Sequence, residues 1–267
     1  MLGLSALGVL GAFEAGWMIG SRPPPIPVAP RGWGHTRPGP RPYPASFALP
    51  PHFLAPSIQR LPAPHGIITD IAGSGAAVAL TIDDGNDSAV VAEYVKFCQD
   101  TGMRLTFFVT GSRQSWTDNA PAIQALLATG QVQLGNHSWS HPDFTLLGDS
   151  QIQAELQQNH DFMVATYGVD ARPYFRPPYG RHNDRVDAAA AAIGYTVPVL
   201  WYGSLSDSTE ISDGDLMSSA TSWLLPEHIV IGHANYATVT RHFGEIADLI
   251  RGRGLVPVTL DDVFLRA

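Results

Sequence analysis

Ala76-Ala77-Val78-Ala79-Leu80-Thr81-Ile82-Asp83-Asp84-Gly85 is the stretch on which the reading of this chain turns. Residues 76–80 form a short apolar run bounded upstream by Gly73 and Gly75, the pattern of a buried strand. Asp83 and Asp84 therefore fall where a strand hands over to a loop. Successive strand side chains point to opposite sides, so the two acids should aim at different partners. One carboxylate can bind a metal while its neighbour stays free as a proton acceptor. Taken alone, Asp-Gly is also an ordinary turn signal, and for so short a motif the turn is the plainer reading.

Downstream, helical and strand patterns alternate. Ala89–Asp100 predicts a helix with Val91, Tyr94, Val95 and Cys98 on one apolar face, followed by a strand at Leu105–Val109. Ala120–Thr129 reads as a helix and Val132–Leu134 as a short strand. Gln151–Tyr167 reads as an amphipathic helix with Gln157, Gln158 and His160 on its wet side. Further helices are expected at Asp187–Ile193, Asp213–Leu224 and Glu245–Arg251. Further strands are expected at Tyr174–Phe175, Tyr195–Trp201, His228–Ile231 and Leu255–Thr259. Repeated βα units imply an α/β fold with a parallel sheet, open or closed into a barrel, whose site lies at the strand ends.

The chain has 267 residues, of which 45% are apolar, enough for one sizeable domain with an appendage. Its formal charge of −8 is unevenly spread. Residues 1–64 carry five arginines and a single acid, Glu14, whereas residues 65–267 carry 11 basic and 23 acidic side chains. An acidic main domain argues against nucleic acid as its partner. Cys98 is the sole cysteine, so any metal must be held by His, Asp or Glu.

Three segments follow from these shifts. Residues 1–20 are mostly small and apolar, like a signal peptide or signal anchor, although Glu14 interrupts them and no basic stretch precedes them. They suggest membrane anchoring or export. Residues 21–64 hold 14 of the 22 prolines and read as an extended, semi-rigid linker. Residues 65–267 form the remaining domain.

His137-Ser138-Trp139-Ser140-His141 places two imidazoles four residues apart, a spacing that lets them share one helical face and grip one ion. Pro142 restricts His141, which argues against a regular helix there. Ser138 stands where a zincin-type motif would have Glu, so a general base must come from elsewhere. Two imidazoles and one Asp make the ligand set of a catalytic zinc, and the Thr81–Gly85 stretch can supply both that Asp and a base.

With these residues in place the chain resembles the polysaccharide deacetylases, the NodB-homology domains of carbohydrate esterase family 4. The resemblance spans about residues 70–265 and rests on five motifs in the family's order. It implies a distorted (β/α) barrel of about seven strands. By that match Asp83 is the general base, and Asp84, His137 and His141 hold a divalent metal, zinc first and cobalt second. Arg176-Pro177-Pro178-Tyr179-Gly180 matches the third motif. Arg176 would pair with Asp83 and keep it ionised, because an adjacent cation favours the charged form. Tyr179 would offer its backbone N–H to an oxyanion. In Ile231-Gly232-His233, His233 would be the general acid, and Ile231 would line the pocket for an acetyl methyl.

The fourth motif departs from the family's Asp-x-x-Asp-Trp. In Ser204-Leu205-Ser206-Asp207-Ser208 only Asp207, the expected tuner of His233, survives. Ser208 removes the usual aromatic wall, for which Trp201 or Tyr202 is a substitute by proximity. Asn86 stands where the family usually has proline. The resemblance implies hydrolysis of N-acetyl groups on an aminosugar polymer, with peptidoglycan preferred because the front end suggests export, and chitin-type oligomers next. The competing expectations are an O-acetyl esterase acting on xylan, a small-amide hydrolase, and a non-catalytic glycan-binding module.

Overall fold

The computed structural model describes residues 52–265. The apolar segment 1–20 and most of the proline-rich stretch lie outside the described residues, as do the expectations of anchoring and export that rest on them. Among the described residues, no helix is long and apolar enough to cross a membrane.

The strands are β1 (Ala77–Asp84), β2 (Leu105–Val109), β3 (Val132–Asn136), β4 (Tyr174–Phe175), β5 (Val197–Pro198), β6 (Gly203–Ser204), β7 (Ile229–His233) and β8 (Val256–Pro257). The helices are α1 (Ser88–Thr101), α2 (Gln114–Asp118), α3 (Ala120–Ala128), α4 (Asp149–Tyr167), α5 (Asp184–Ala191), α6 (Asp213–Trp223), α7 (Phe243–Gly252) and α8 (Leu260–Val263). Seven strands run in the order β5-β4-β3-β2-β1-β7-β6, while β8 pairs with the start of β1. Every pairing is parallel. The sheet is an incomplete, distorted (β/α) barrel, as the motif set implied. Across its open side, Ile68 bridges to Val199 beyond β5, and Asp70 bridges to His228 just before β7.

Strand alternation sorts the core into two clusters. Val78, Leu80 and Ile82 of β1 face the helices, whereas Ala77 and Ala79 face inward with Phe108, Tyr174, Val197 and Ile229. Thr81 and Asp83 continue the inward parity, so Asp83 sits at the top of the barrel interior. Gly135 on β3 is required there: a Cβ on it would come within 2.4 Å of the Phe108 ring.

α1 shows how local chemistry sets the element ends. The Asp87 side chain accepts from the Ala89 and Val90 amides, and Gly102 closes the helix with φ 73°. Cys98 is fully buried on its inner face, where burial pushes the thiol pKa well up. A core role, not a nucleophilic one, follows.

Several expectations are corrected. His160 is buried and bonds to the Tyr195 hydroxyl at 3.0 Å, so it does not share the wet side of α4 with Gln157 and Gln158. The strand expected over Tyr195–Trp201 shrinks to Val197–Pro198. Pro198 brings no N–H to a ladder, and beyond it the Val199 and Leu200 carbonyls turn to Arg176 instead. The short helices α2 and α8 are too brief to show a helical period. Residues 52–64 lie against the barrel: the Phe53 amide donates to Thr101 O, and Leu61 bonds with Val263 and Leu265. The packed body thus begins before His65.

Candidate active site

Parallel register brings the chemistry into one layer at the C-terminal ends of the strands. Asp83 is level with His233 on β7 and Phe108 on β2; Val109 is level with Asn136, and Asn136 with Phe175. The residues that follow, Asp84, His137 and Arg176, therefore leave their strands together. Barrel sites are built at this edge because the connecting loops vary freely over a rigid frame.

The loops here hold strained backbone. Asp84 (φ 70°), Ser138 (φ 68°), His141 (φ 66°), Tyr179 (φ 60°) and Ser206 (φ 60°) all lie in the left-handed region. Such conformations cost on the order of 1 kcal/mol or more each and persist only where surrounding contacts impose them. At Asp84 the strained turn swings the carboxylate away from Asp83's inward direction. His137 and His141 converge by a non-helical turn, so the i, i+4 spacing succeeds through a different geometry from a helix face. Asn136 supports that turn: its Oδ1 accepts from the Ser138 amide at 2.9 Å and from Asn159 at 2.8 Å. Glu155 accepts from the amide and hydroxyl of Ser140 at 2.7 Å each.

Asp84 Oδ1 lies 3.4 Å from His137 Nε2 and 3.3 Å from His141 Nε2, and the two imidazole nitrogens are 3.2 Å apart. A tetrahedral ion with bonds of about 2.05 Å has ligand–ligand edges of roughly 3.3 Å. The triangle therefore fits a zinc-sized cation. His137 Nδ1–H donates to Arg176 O at 2.8 Å, which leaves Nε2 as the lone-pair donor facing the centre. Among the described residues this is the only group of three or more metal-capable side chains so placed.

The electrostatics of the three groups differ. Burial alone would raise the Asp84 carboxyl, but the bond and charge of His137, with His141 and His233, hold it well below the carboxylate range. Burial and the neighbouring His137 push His141 down to about 4, so its nitrogen is free to ligate at neutral pH. Burial opposes protonation of His137, yet Asp83 and Asp84 raise it.

Asp83, 2% exposed, receives Arg176 Nη1 at 2.5 Å. Arg176 is itself fully buried, with its Nε donating to Val199 O at 2.9 Å and its plane over Phe108 at 4.1 Å. Burial pulls its pKa down and Asp83 opposes the shift. Asp83 Oδ2 also stands 3.5 Å from His137 Nε2, beside the triangle. Across the site, His233 Nδ1 donates to Asp207 Oδ1 at 3.0 Å, and the His233 amide reaches Asp207 Oδ2 at 3.2 Å. Burial opposes that charge, but Asp207, Asp83 and Asp84 raise His233 to about 9. Its Nε2 can thus carry a proton at neutral pH.

Of the remaining expected residues, Ile231 is buried two residues deeper than the layer, level with Thr81. Tyr179 is 61% exposed, with its ring 4.6 Å from that of His141, at the rim. Trp201 packs against Gly180 and lies 5.6 Å from the Arg176 guanidinium, so it flanks Arg176. Tyr202 does not reach the site. Its amide donates to Ile229 O and its ring lies 4.4 Å from the tilted His228 ring, at the start of β7, about 13 Å of strand from His233.

Three contributors escaped sequence reasoning. Asn235 donates to Asp84 Oδ2 at 2.7 Å, Trp116 donates to Asp84 O at 2.8 Å, and Asn159 braces Asn136. Only Asn235, two residues after His233, had a positional hint.

Comparison with known proteins agrees with this geometry. Residues 71–198 match the polysaccharide deacetylase family model. Over 168 residues the chain is 33% identical to chitin deacetylase 1 of Cryptococcus neoformans, covering 63% of this chain and 33% of that protein. It is 26% identical to the peptidoglycan-N-acetylglucosamine deacetylase PgdA of Listeria monocytogenes, covering 70% and 38%. The chain thus spans little more than a third of these relatives. A solved family 4 carbohydrate esterase from Streptomyces lividans, in complex with acetate, superposes with a TM-score of 0.59 at 27% identity, covering 68% of this chain and 91% of that one. With motif order, barrel topology and the family match in accord, residues 71–198 are recognised as a polysaccharide deacetylase domain.

Proposed function

We propose that the chain is a metal-dependent hydrolase that removes N-acetyl groups from an aminosugar polymer, peptidoglycan N-acetylglucosamine first and chitin-type oligomers second. The carrying observation is the Asp84–His137–His141 triangle flanked by two buried acid–base pairs, Asp83–Arg176 and His233–Asp207. A divalent ion held by Asp84, His137 and His141, zinc or cobalt, would polarise the acetamide carbonyl and acidify the attacking water.

Each chain residue then has a task. Asp83, held by Arg176, accepts the proton of the attacking water. The Tyr179 amide supports the oxyanion at the rim. His233, kept protonated and oriented by Asp207, gives its proton to the departing nitrogen, releasing acetate and a free amine. Ile231 borders the space for the acetyl methyl. A binding module would have no use for two buried, specifically paired proton-transfer groups beside an ion site, which favours catalysis over mere glycan capture.

Export, suggested by residues 1–20, would bring the chain to a wall polymer. Ser208, in place of an aromatic wall, keeps an O-acetyl ester such as acetylated xylan as the second reading. Acetate release from chitooligosaccharides, peptidoglycan and acetylated xylan, measured on the full chain after chelation and after zinc or cobalt is restored, separates these readings. Release that is indifferent to chelation, or absent on all three polymers, would defeat the proposal.

A further inference from the structure

The chain departs from its family pattern at Asn86, and that departure has a partner. The end of β7 continues past His233 as a zipper onto the loop after β1. The Ala234 amide donates to Asp83 O at 3.0 Å, and the Asp87 amide donates to Ala234 O at 3.3 Å. Between these bonds, the Asn86 backbone N–H donates to Asn235 Oδ1 at 3.2 Å, and Asn235 Nδ2 donates to Asp84 Oδ2 at 2.7 Å.

The order of these bonds is forced. A backbone N–H can only donate, so the Asn235 oxygen must face Asn86, and its NH2 must then face Asp84. Proline at position 86 has no N–H and could not set that orientation. The Asp84 carboxylate is consequently divided. Its Oδ1 faces the two imidazoles, while its Oδ2 is occupied by Asn235. That arrangement favours one-oxygen ligation and removes the rotation that would let the carboxylate swing away or chelate through both oxygens.

Resting on the metal-site reading above, we infer that Asn235 is a positioning residue for the metal ligand Asp84, and that the Asn86 N–H sets its amide. Residues outside the ligand set that orient a ligating carboxylate typically change metal affinity 10- to 100-fold. Asn235 also lies on the same chain segment as His233, so this bond ties the proton donor's strand to the metal ligand.

The test is zinc affinity of the full chain by competition with a chromogenic chelator, together with the visible absorption of the cobalt form, which reports ligand geometry. Asn235→Ala should weaken zinc binding about 10- to 100-fold and shift the cobalt bands, with its melting temperature recorded as a folding control. Asn235→Asp, of the same shape but presenting an acceptor, should also weaken binding. Asn86→Pro should weaken zinc binding several-fold, whereas Asn86→Ala, which keeps the N–H, should bind as the wild type does. Adding Asn86→Pro to Asn235→Ala should cost nothing further, because both act through one bond. Wild-type affinity and unchanged cobalt bands in Asn235→Ala, or equal losses in Asn86→Pro and Asn86→Ala, would overturn the inference. A wild-type chain that binds neither zinc nor cobalt would instead defeat the metal-site reading itself.

Discussion

The two ends of the barrel use buried charge differently. At the C-terminal edge, Asp83, Arg176, Asp207 and His233 are buried together, and five non-glycine residues hold left-handed backbone. At the opposite edge, Arg104 makes two bonds of 2.7 Å to Asp262 and a third to Gly130 O at 2.5 Å, joining the start of β2 to α8. There the same Asp262 completes a capping box with Thr259. Both edges contain an arginine–carboxylate pair, and the far edge has a single strained residue, Glu227, beside His228; only the C-terminal edge gathers three histidines, five strained residues and convergent lone pairs. Charge pairing alone therefore marks structure; pairing with poised, differently tuned neighbours marks chemistry.

The largest way to test the contrast lies in the ion triangle. Asp84→Ala should lose both bound zinc and activity, by about 10³-fold or more, given several kcal/mol of metal contribution. Asp83→Asn should keep zinc, measured by elemental analysis, and lose about 10²- to 10⁴-fold in kcat. Full turnover in Asp83→Asn would remove it from the base role.

Next come the two arginines. Arg176→Met leaves Asp83 buried and unpaired, and should destabilise the fold by about 3–5 kcal/mol in denaturant titration while also abolishing turnover. Arg104→Met should cost less, about 1–3 kcal/mol, and leave kcat untouched. If Arg104→Met impaired catalysis as severely as Arg176→Met, the division between the two edges would fail.

A smaller effect concerns protons. Asp207→Asn should bring His233 from about 9 toward its ordinary 6.5 and move the basic limb of the kcat–pH profile down accordingly. Because the folded-state value is the higher one, His233 contributes stability that is complete below pH about 6.5 and lost as pH rises through about 9. The melting temperature of the metal-free wild type should fall across that window more than that of Asp207→Asn. A basic limb that stayed in place would detach His233 from proton donation.

Inside the barrel the expected effect is on stability alone. Gly135→Ala should cost about 1–3 kcal/mol, because the added methyl overlaps the Phe108 ring that lies under Arg176. An unchanged melting temperature would show that Phe108 can shift away freely.

Much of this site could be read from residue order. The apolar run before Asp83 announced a strand, and the two acids do take different main partners, Arg176 and the imidazole pair, although the left-handed turn at Asp84 rather than strand parity separates them. Motif order then named Arg176, Asp207 and His233 as their company. What could not be read was anything carried by contact between distant loops. His160 looked polar in its helix, but its surroundings are set by Tyr195, 35 residues later. Tyr202 seemed near the site by number, yet it emerges at the wrong end of β7.

By itself, then, the amino-acid sequence determined the alternating βα pattern, because periodicity is a local property, while the roles expected of the metal-capable and proton-carrying side chains came from motif order and the family resemblance it carries. Tertiary structure alone decided that Asp84 offers one oxygen to two imidazoles and the other to Asn235. That outcome depends on parallel register and on left-handed turns at Asp84, Ser138 and His141, which only the packed barrel can hold in place.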